Sequence, residues 1–279
     1  MVSTLYPNEV VIHDGNYQQF LAPRDPNAQG THGLKPRDYA KHPVGAYPWA
    51  TAVDFPLIPR SEWSARIKEK ESSLSRLSDI RMTRGPNGGM IPSRYQNGKG
   101  FCWAHSGVSA HLMVRAVMNE PYADLSAYAI ACIVKDYADE GGWGAQGVDW
   151  QVQNGCPTSA TWPQQSMSRS NDNAAMRADA AKHKIVAQWA DLSAAEYDRD
   201  LTFDQVGTLL LCNIPVVVDY NWWSHSVCAI DLVETSPGKF GVRIWNSWSD
   251  SFGANGTAVL EGQKAIPDGA VAPRLVMPS

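Results

Sequence analysis

The sequence lacks the features that mark a membrane protein or a nucleic-acid clamp. Its 24 basic and 28 acidic side chains leave a net charge of −4, whereas nucleic-acid binding usually needs a basic surface. The longest apolar run, 209–218, contains Asn213 and Pro215 and falls short of the roughly 18 residues that a membrane span requires. Glu9 and Asp14 interrupt the start of the chain, so we expect no secretory signal. We therefore predict a soluble protein, cytoplasmic or virion-associated, that binds neither nucleic acid nor membrane.

Cysteine is too scarce and too irregularly spaced for a disulfide framework or a zinc ribbon. The count of five is odd, so at least one thiol is free within the chain, and no CxxC pair is present. The three histidines of the first 52 residues match no metal-ligand spacing. We therefore predict no metal and no cofactor. The cysteines stand at Cys102, Cys132, Cys156, Cys212 and Cys228.

The first part of the chain, residues 1–52, is punctuated by proline and glycine. Proline fixes the backbone and removes a hydrogen-bond donor, so this composition predicts an extended arm with little regular structure. An ordered arm needs a surface to lie against. Two interpretations stay open: the arm lies across a cleft as an inhibitory propeptide does, or it contacts a protein partner in an assembly. The remainder, 53–279, is predicted to be one globular domain.

Hydrophobic periodicity predicts helices in the first half of this domain and strands in the second. Helices come first and antiparallel strands follow, which favours an α+β fold of two packed halves with a cleft between them. The predicted helices are 61–80, 102–118, 125–139 and 148–153, with a further loop and helix in 163–200. The predicted strands are 214–220, 226–234, 240–245 and 257–260.

Four side chains have the chemistry of a thiol hydrolase. Cys102 stands where a glycine-rich loop gives way to a predicted helix, and a helix N-terminus lowers a thiol pKa. His225 begins a strand from which it could reach the helix end, and Asn246 follows a later strand and could orient the imidazole. Gln96 could donate its amide to an oxyanion. Taken singly, these residues have commoner interpretations as a buried thiol, a core histidine and a turn asparagine.

Two longer segments make the sequence recognisable. Residues 92–106 read PSRYQNGKGFCWAHS and residues 246–256 read NSWSDSFGANG. The first resembles the nucleophile segment of the papain family of cysteine peptidases, including the cathepsins, and the second resembles its Asn-Ser-Trp segment. The order of cysteine, histidine and asparagine is also that of the family. Shorter landmarks in between are Leu125-Ser126, Gly141-Gly142-Trp143-Gly144 and Trp162-Pro163.

The resemblance implies a papain-like fold over 53–279, with a helical N-terminal lobe, an antiparallel β-barrel-like C-terminal lobe and an insertion near 64–87. It implies that Cys102 is the nucleophile, His225 the base and acid, and Asn246 the residue that orients the imidazole. Gln96 would be the oxyanion donor.

The family also suggests which residues surround the substrate. Trp248 resembles the indole that covers the bond between the histidine and the asparagine. Gly142 and Gly144 lie in the segment that, in the family, pairs with the extended substrate backbone. Trp223 either lines the cleft or packs beneath it, and the sequence leaves both interpretations open.

The departures from the family pattern bear on function. Lys99 stands where the family commonly has a disulfide cysteine, and the loop before His225 is only 221–224. The missing disulfide fits a reducing compartment. The first hypothesis is a peptidase that acts on a peptide or protein substrate. The alternatives are a papain-fold structural component of an assembly such as a bacteriophage particle, attached through residues 1–52, and a hydrolase of cell-wall peptide or isopeptide amides.

Overall fold

A computed structural model describes residues 5–21, 32–42, 47–48, 56–186, 189–192 and 199–278. Helices dominate the first part of the described chain and strands dominate the last part, so the predicted α+β class is confirmed. Among these residues, no helix is both long enough and apolar enough to cross a membrane. The helices are α1 Arg60–Ser72, α2 Leu77–Arg81, α3 Cys102–Val117, α4 Ala127–Val134, α5 Gly144–Gln153, α6 Ala174–Ala180 and α7 Arg199–Leu211.

Helix α3 lies at the centre of the molecule and is buried along almost its whole length. It packs against α4 and α5 on one side and against the sheet on the other. The approach to α5 is close because Gly147 lacks a side chain: a Cβ there would lie 2.8 Å from the Trp103 carbonyl oxygen. This packing fixes the N-terminal end of α3 between the helices and the strands.

A single sheet runs through the second part of the fold. Its strand order is β1-β7-β6-β5-β4-β8-β3-β2, with antiparallel pairing from β7 through to β3 and parallel pairing of β1 and β2 at the two edges. Because the order has two edge strands, the described sheet is open, and the expected barrel-like closure is wrong. The strands are β1 Val10–Ile12, β2 Tyr47–Pro48, β3 Trp189–Asp191, β4 Val216–Tyr220, β5 His225–Ser236, β6 Lys239–Trp245, β7 Thr257–Glu261 and β8 Gly269–Pro273.

The predicted helix 61–80 is two helices, α1 and α2. The chain breaks at Leu74, which has a φ of 50°. The hydroxyl groups of Ser72 and Ser73 bond to backbone carbonyls of the last turn of α1, and serine competes with helix backbone in this way.

Helix α7 and strand β8 were not predicted. The sequence of α7 mixes Thr202, Val206 and Gly207, which are poor helix formers, so its propensity signal is weak. The apolar run 209–218 also joins the end of this helix to the start of β4, which hides the boundary between them.

The arm has more regular structure than its composition predicts. Strand β1 pairs in parallel with β7, with Val10 opposite Ala258, and Ile12 is fully buried. Residues 32–42 have one strand-like contact, a parallel bridge between Leu34 and Gly142. The short strand β1 is regular structure that the composition did not indicate, while the extended arm, the division at residue 52 and the insertion near 64–87 stay predictions.

Candidate active site

Cys102 is the first residue of α3, as the sequence predicts, and it follows the loop that contains Gly98 and Gly100. Its side chain is fully buried. The backbone N–H groups of Ser226 and Gly33 face its sulfur. Ser226 comes directly after His225, so the N-terminal end of α3 and the start of β5 lie side by side.

His225 and Asn246 are joined by a hydrogen bond. The distance between His225 Nε2 and Asn246 Oδ1 is 2.8 Å, and the same oxygen accepts the Ser247 N–H at 2.7 Å. Because Oδ1 can only accept, His225 Nε2 must carry the proton, and the neutral ring then has its lone pair on Nδ1. Such an imidazole can take a proton through Nδ1.

Two indoles surround this imidazole. Trp248 stacks on the His225 ring with 4.7 Å between centroids and an interplanar angle of 27°. Trp223 meets the same ring edge-on at 4.9 Å, and it is 1% exposed. In the described structure Trp223 is therefore buried against His225. Together the indoles limit the rotation of the ring and exclude water from one side of it.

Gln96 is connected to the same group of residues. Its Oε1 accepts the Ser247 hydroxyl at 2.6 Å, which fixes the orientation of the amide. Its Nε2 donates to the Lys99 carbonyl at 2.7 Å, in the loop that leads into α3. Ser247 thus links Gln96 to Asn246, and the amide group of Gln96 points toward the loop before Cys102.

Residues 141–144, here called the glycine segment, lie on one side of Cys102, and the start of β5 lies on the other; the space between them is here called the groove. Gly142 donates its N–H to the Gly33 carbonyl at 2.9 Å and accepts the Lys35 N–H at 2.8 Å. Gly144, two residues later, begins α5 and donates its N–H to the Asp219 carboxylate at 2.9 Å. Gly142 therefore lies beside an extended backbone, whereas Gly144 is bonded within the fold.

The backbone paired with Gly142 is the chain's own arm. Residues 32–42, here called the cleft segment, pass between the glycine segment and the start of β5, where Leu34 donates its N–H to the Ser224 carbonyl at 3.0 Å. Gly33 lies so close to the loop before Cys102 that a Cβ on it would be 2.2 Å from the Gly100 carbonyl oxygen. The groove is therefore occupied at the position of the sulfur.

The imidazole of His32 covers the other candidate residues. It meets the rings of His225 and Trp248 edge-on, with 5.5 and 5.7 Å between centroids. Burial lowers the pKa of His32, although a hydrogen bond with the Trp223 backbone opposes this. The described environment therefore favours a neutral His32.

Burial also dominates the electrostatics of Cys102 and His225. It raises the pKa of Cys102 to about 12, and the charge of Asp219 adds to this rise. Burial, followed by the charge of His32, lowers the pKa of His225 to about 3. Burial of the sulfur therefore outweighs the lowering of the thiol pKa that is expected from the helix N-terminus.

The thiol and the imidazole are not joined by a hydrogen bond in this state. Within the described ranges, His225 Nδ1 has no hydrogen-bond partner, so the Cys102 sulfur is not bonded to it. The backbone N–H of Gly33 faces the sulfur instead. Sequence reasoning considered an arm across the cleft but did not identify His32, Gly33 and Leu34; a glycine in a proline-rich and glycine-rich stretch carries no signal of this contact.

The site gives no sign of a metal centre. Over the ranges for which structure is described, no three His, Cys, Asp or Glu side chains are grouped so as to hold a metal ion. All five cysteines are free thiols, and Cys212 is exposed.

The fold is that of the papain-like cysteine proteases. Digestive procathepsin L2 proteinase from Tenebrio molitor is similar at 17% identity over 94% of this chain and 87% of that chain, with a TM-score of 0.62. Xylellain, a cysteine protease from Xylella fastidiosa, is similar at 14% identity over 88% and 96%, with a TM-score of 0.58. Bromelain from Ananas comosus is similar at 18% identity over 72% and 97%, with a TM-score of 0.51. No protein-family model and no curated protein sequence matches the chain.

Proposed function

We propose that the protein is a cysteine peptidase that hydrolyses peptide bonds, with Cys102 as the nucleophile and His225 as the base. The observation that carries the proposal is the hydrogen bond from His225 to Asn246, because it leaves the lone pair of the neutral ring on Nδ1 beside the groove that contains Cys102. The position of Cys102 at the start of α3 supports the role of nucleophile once water reaches the sulfur.

The proposed reaction proceeds through an acyl-enzyme. The Cys102 sulfur attacks the carbonyl carbon of the substrate while His225 Nδ1 takes the thiol proton. The Cys102 N–H and the Gln96 amide stabilise the oxyanion, and His225 then gives the proton to the leaving amine. His225 next removes a proton from a water molecule whose oxygen attacks the acyl carbon. The C–S bond then breaks, which releases the carboxylic acid, and the imidazolium returns the proton to the Cys102 sulfur.

The cleft segment holds this peptidase in a latent state. Its Gly33 presents an N–H to the sulfur, and the Gly33 carbonyl accepts from the Gly142 N–H. Attack requires a carbonyl carbon at the sulfur with its oxygen at the oxyanion donors, so this backbone is bound in a way that resists cleavage. A peptide or protein substrate would take the place of the cleft segment beside Gly142.

The test is the reactivity of each cysteine toward iodoacetamide, measured by mass spectrometry in the native protein and in Gly33→Ala. We expect Cys102 to react faster in Gly33→Ala than in the native protein, relative to the buried Cys156 as the internal reference. Adding His225→Ala to the Gly33→Ala chain should slow the reaction of Cys102. The same protein should digest an unstructured polypeptide, and Cys102→Ala should not. Equal, slow alkylation of the buried cysteines in both chains contradicts the proposal.

A second candidate function is a papain-fold structural component with little activity. The full burial of Cys102 and His225 beneath the cleft segment favours it. This candidate predicts that Gly33→Ala leaves Cys102 as slow as Cys156 and that no polypeptide is cut. The proposed attachment of residues 1–52 to an assembly partner belongs to this candidate.

A further inference from the structure

A hydrogen bond connects the start of the chain to the surroundings of the candidate base. Trp223 lies in a 3-10 turn, 221–223, just before His225, and its Nε1 donates to the Phe20 carbonyl at 3.0 Å. Its indole is the one that meets the His225 ring at 4.9 Å. The position of this indole therefore depends on residues 5–21, here called the anchor segment.

The anchor segment is attached through a buried ion pair. Glu9 and Arg243 are both fully buried, with 2.7 Å between Arg243 Nε and Glu9 Oε1 and 2.9 Å between Nη2 and Oε2. Arg243 also donates to Asp231 at 2.6 Å. Burial opposes the charge on Arg243, but the hydrogen bond to Glu9 and the charge of Asp231 outweigh it and raise the pKa of Arg243.

Further contacts hold the residues that precede Phe20. Tyr17 meets Trp222 edge-on at 5.7 Å between centroids, and the Lys264 ammonium lies 3.5 Å from the Tyr17 ring centroid. Asp14 accepts the Gln263 N–H at 3.1 Å. With β1 paired to β7, the anchor segment contacts the C-terminal part of the fold along its length, so the Phe20 carbonyl is held in a defined place.

We propose that Trp223, held through the Phe20 carbonyl, is a positioning residue for the His225 imidazole, so that the anchor segment is a working part of the peptidase. This inference rests on the proposed function. It assigns to residues 5–21 a role opposite to that of the cleft segment, because it supports the base while the cleft segment blocks the nucleophile.

The geometry explains why this bond affects the ring. Trp248 covers one face of His225, Asn246 fixes Nε2, and Trp223 limits movement at the remaining edge. The turn that carries Trp223 is short and ends at Ser224 in a left-handed conformation with a φ of 49°. A buried indole N–H that loses the Phe20 carbonyl must move toward another hydrogen-bond partner. Because Trp223 contacts the His225 ring, such a movement would allow the imidazole to rotate.

The experiment compares the same substitution at adjacent tryptophans, in the Gly33→Ala chain. Trp223→Phe keeps an aromatic ring but removes the donor to Phe20. Trp222→Phe is the matched control, since Trp222 stacks on Trp223 at 5.3 Å and its Nε1 has no hydrogen-bond partner in the described part of the chain. The readout is the rate of Cys102 alkylation as a function of pH, because its acid limb reports the ionisation of the candidate thiol and imidazole.

We expect Trp223→Phe to lower the alkylation rate near neutral pH by about threefold to tenfold, the effect of one lost hydrogen bond, and to displace the acid limb. Trp222→Phe should stay within about twofold of its parent. If Trp223→Phe does not fold, benzothienylalanine at position 223 keeps the indole shape without the N–H. Unchanged pH profiles in both variants overturn the inference while leaving the proposed function intact. If His225→Ala does not change the rate of Cys102 alkylation in the Gly33→Ala chain, both this inference and the proposed function are overturned.

Discussion

The anchor segment and the cleft segment belong to one predicted arm, yet they are attached by different physical means. The anchor segment adds strand β1 to the sheet, and its buried Glu9 carboxylate forms an ion pair with the buried Arg243 guanidinium. The cleft segment is held by a few backbone hydrogen bonds, by ring contacts of His32, and by an ion pair between Lys35 and Glu140 that is about half exposed. The comparison indicates that the cleft segment can leave the groove while the anchor segment stays in place.

The largest expected effect is on the anchor segment. Glu9→Ala removes two charge-assisted hydrogen bonds from the buried Arg243, although Asp231 still pairs with it, so the free energy of unfolding should fall by about 3 kcal/mol or more. Chemical denaturation near neutral pH measures this. The matched control is Glu62→Ala, which breaks an exposed pair with Arg66 and should change the free energy of unfolding by less than about 1 kcal/mol. Equal effects of the two variants would mean that the buried pair of Glu9 and Arg243 stabilises the fold no more than the exposed pair of Glu62 and Arg66 does.

The next largest effect is expected from adding a methyl group at a glycine of each segment, because the space around the two glycines differs. Gly33→Ala places a Cβ against the Gly100 backbone, and overpacking of this kind costs about 1–3 kcal/mol. The cleft segment should then leave, and Cys102 should be alkylated roughly tenfold faster or more. In the anchor segment, a Cβ on Gly15 would meet only the exposed His13 ring, so Gly15→Ala should leave the rate unchanged. An unchanged rate in Gly33→Ala would show that the groove tolerates the methyl group.

A third expected effect concerns pH. The pKa of His32 is lowered by burial, and that of His225 is lowered to about 3, so the open state binds more protons than the closed one. Closure is therefore most favoured between the ordinary histidine pKa of about 6.5 and the ordinary thiol pKa of about 8.5. It weakens as the pH falls below this window, and the raised pKa of Cys102 makes it weaken above the window as well. His32 contacts the titratable ring of His225 on β5, and the pKa of His225 is also lowered by the charge of His105 on α3.

Hydrogen exchange, corrected for its intrinsic rate, measures this effect. Between about pH 7.5 and 5, protection of residues 32–42 should fall while protection of residues 5–21 stays constant. His32→Phe keeps a ring without a titratable group and should weaken the dependence, leaving the part due to His225. Constant protection of both segments would contradict the assignment of the histidines.

The sequence indicated candidate site residues that lie near one another in the fold, but it did not predict their burial; their catalytic roles stay predictions. The spacing around Cys102, and the segment that begins at Asn246, identified side chains that the structure gathers near one groove, because these local segments fix their own positions at the start of a helix and the end of a strand. The expected α+β class followed from the order of helical and strand-like periodicities. The raised pKa of Cys102 could not be predicted, since it comes from burial of the sulfur, which depends on tertiary contacts with parts of the chain far from residue 102.

The arm shows why the rest was missed. Strand β1 is only Val10–Ile12, too short for an alternating pattern to stand out, and its parallel partner β7 is near the other end of the chain. Glu9 looks like a surface carboxylate in the sequence, because its burial is explained only by the pairing with Arg243. Composition alone therefore treated the anchor and cleft segments as one unit.

The smallest effect is expected from the exposed ion pair of the cleft segment, between Lys35 and Glu140. Lys35 Nζ lies 2.5 Å from Glu140 Oε1, but both side chains are about half exposed, so water and salt compete with the pair. Lys35→Ala should therefore leave stability to denaturant unchanged and alter Cys102 alkylation by less than about twofold. The backbone bond from the Lys35 N–H to Gly142 is retained in this variant, which isolates the ion pair. A large rise in alkylation would instead mean that this charge contact, rather than Gly33 and His32, holds the cleft segment in the groove.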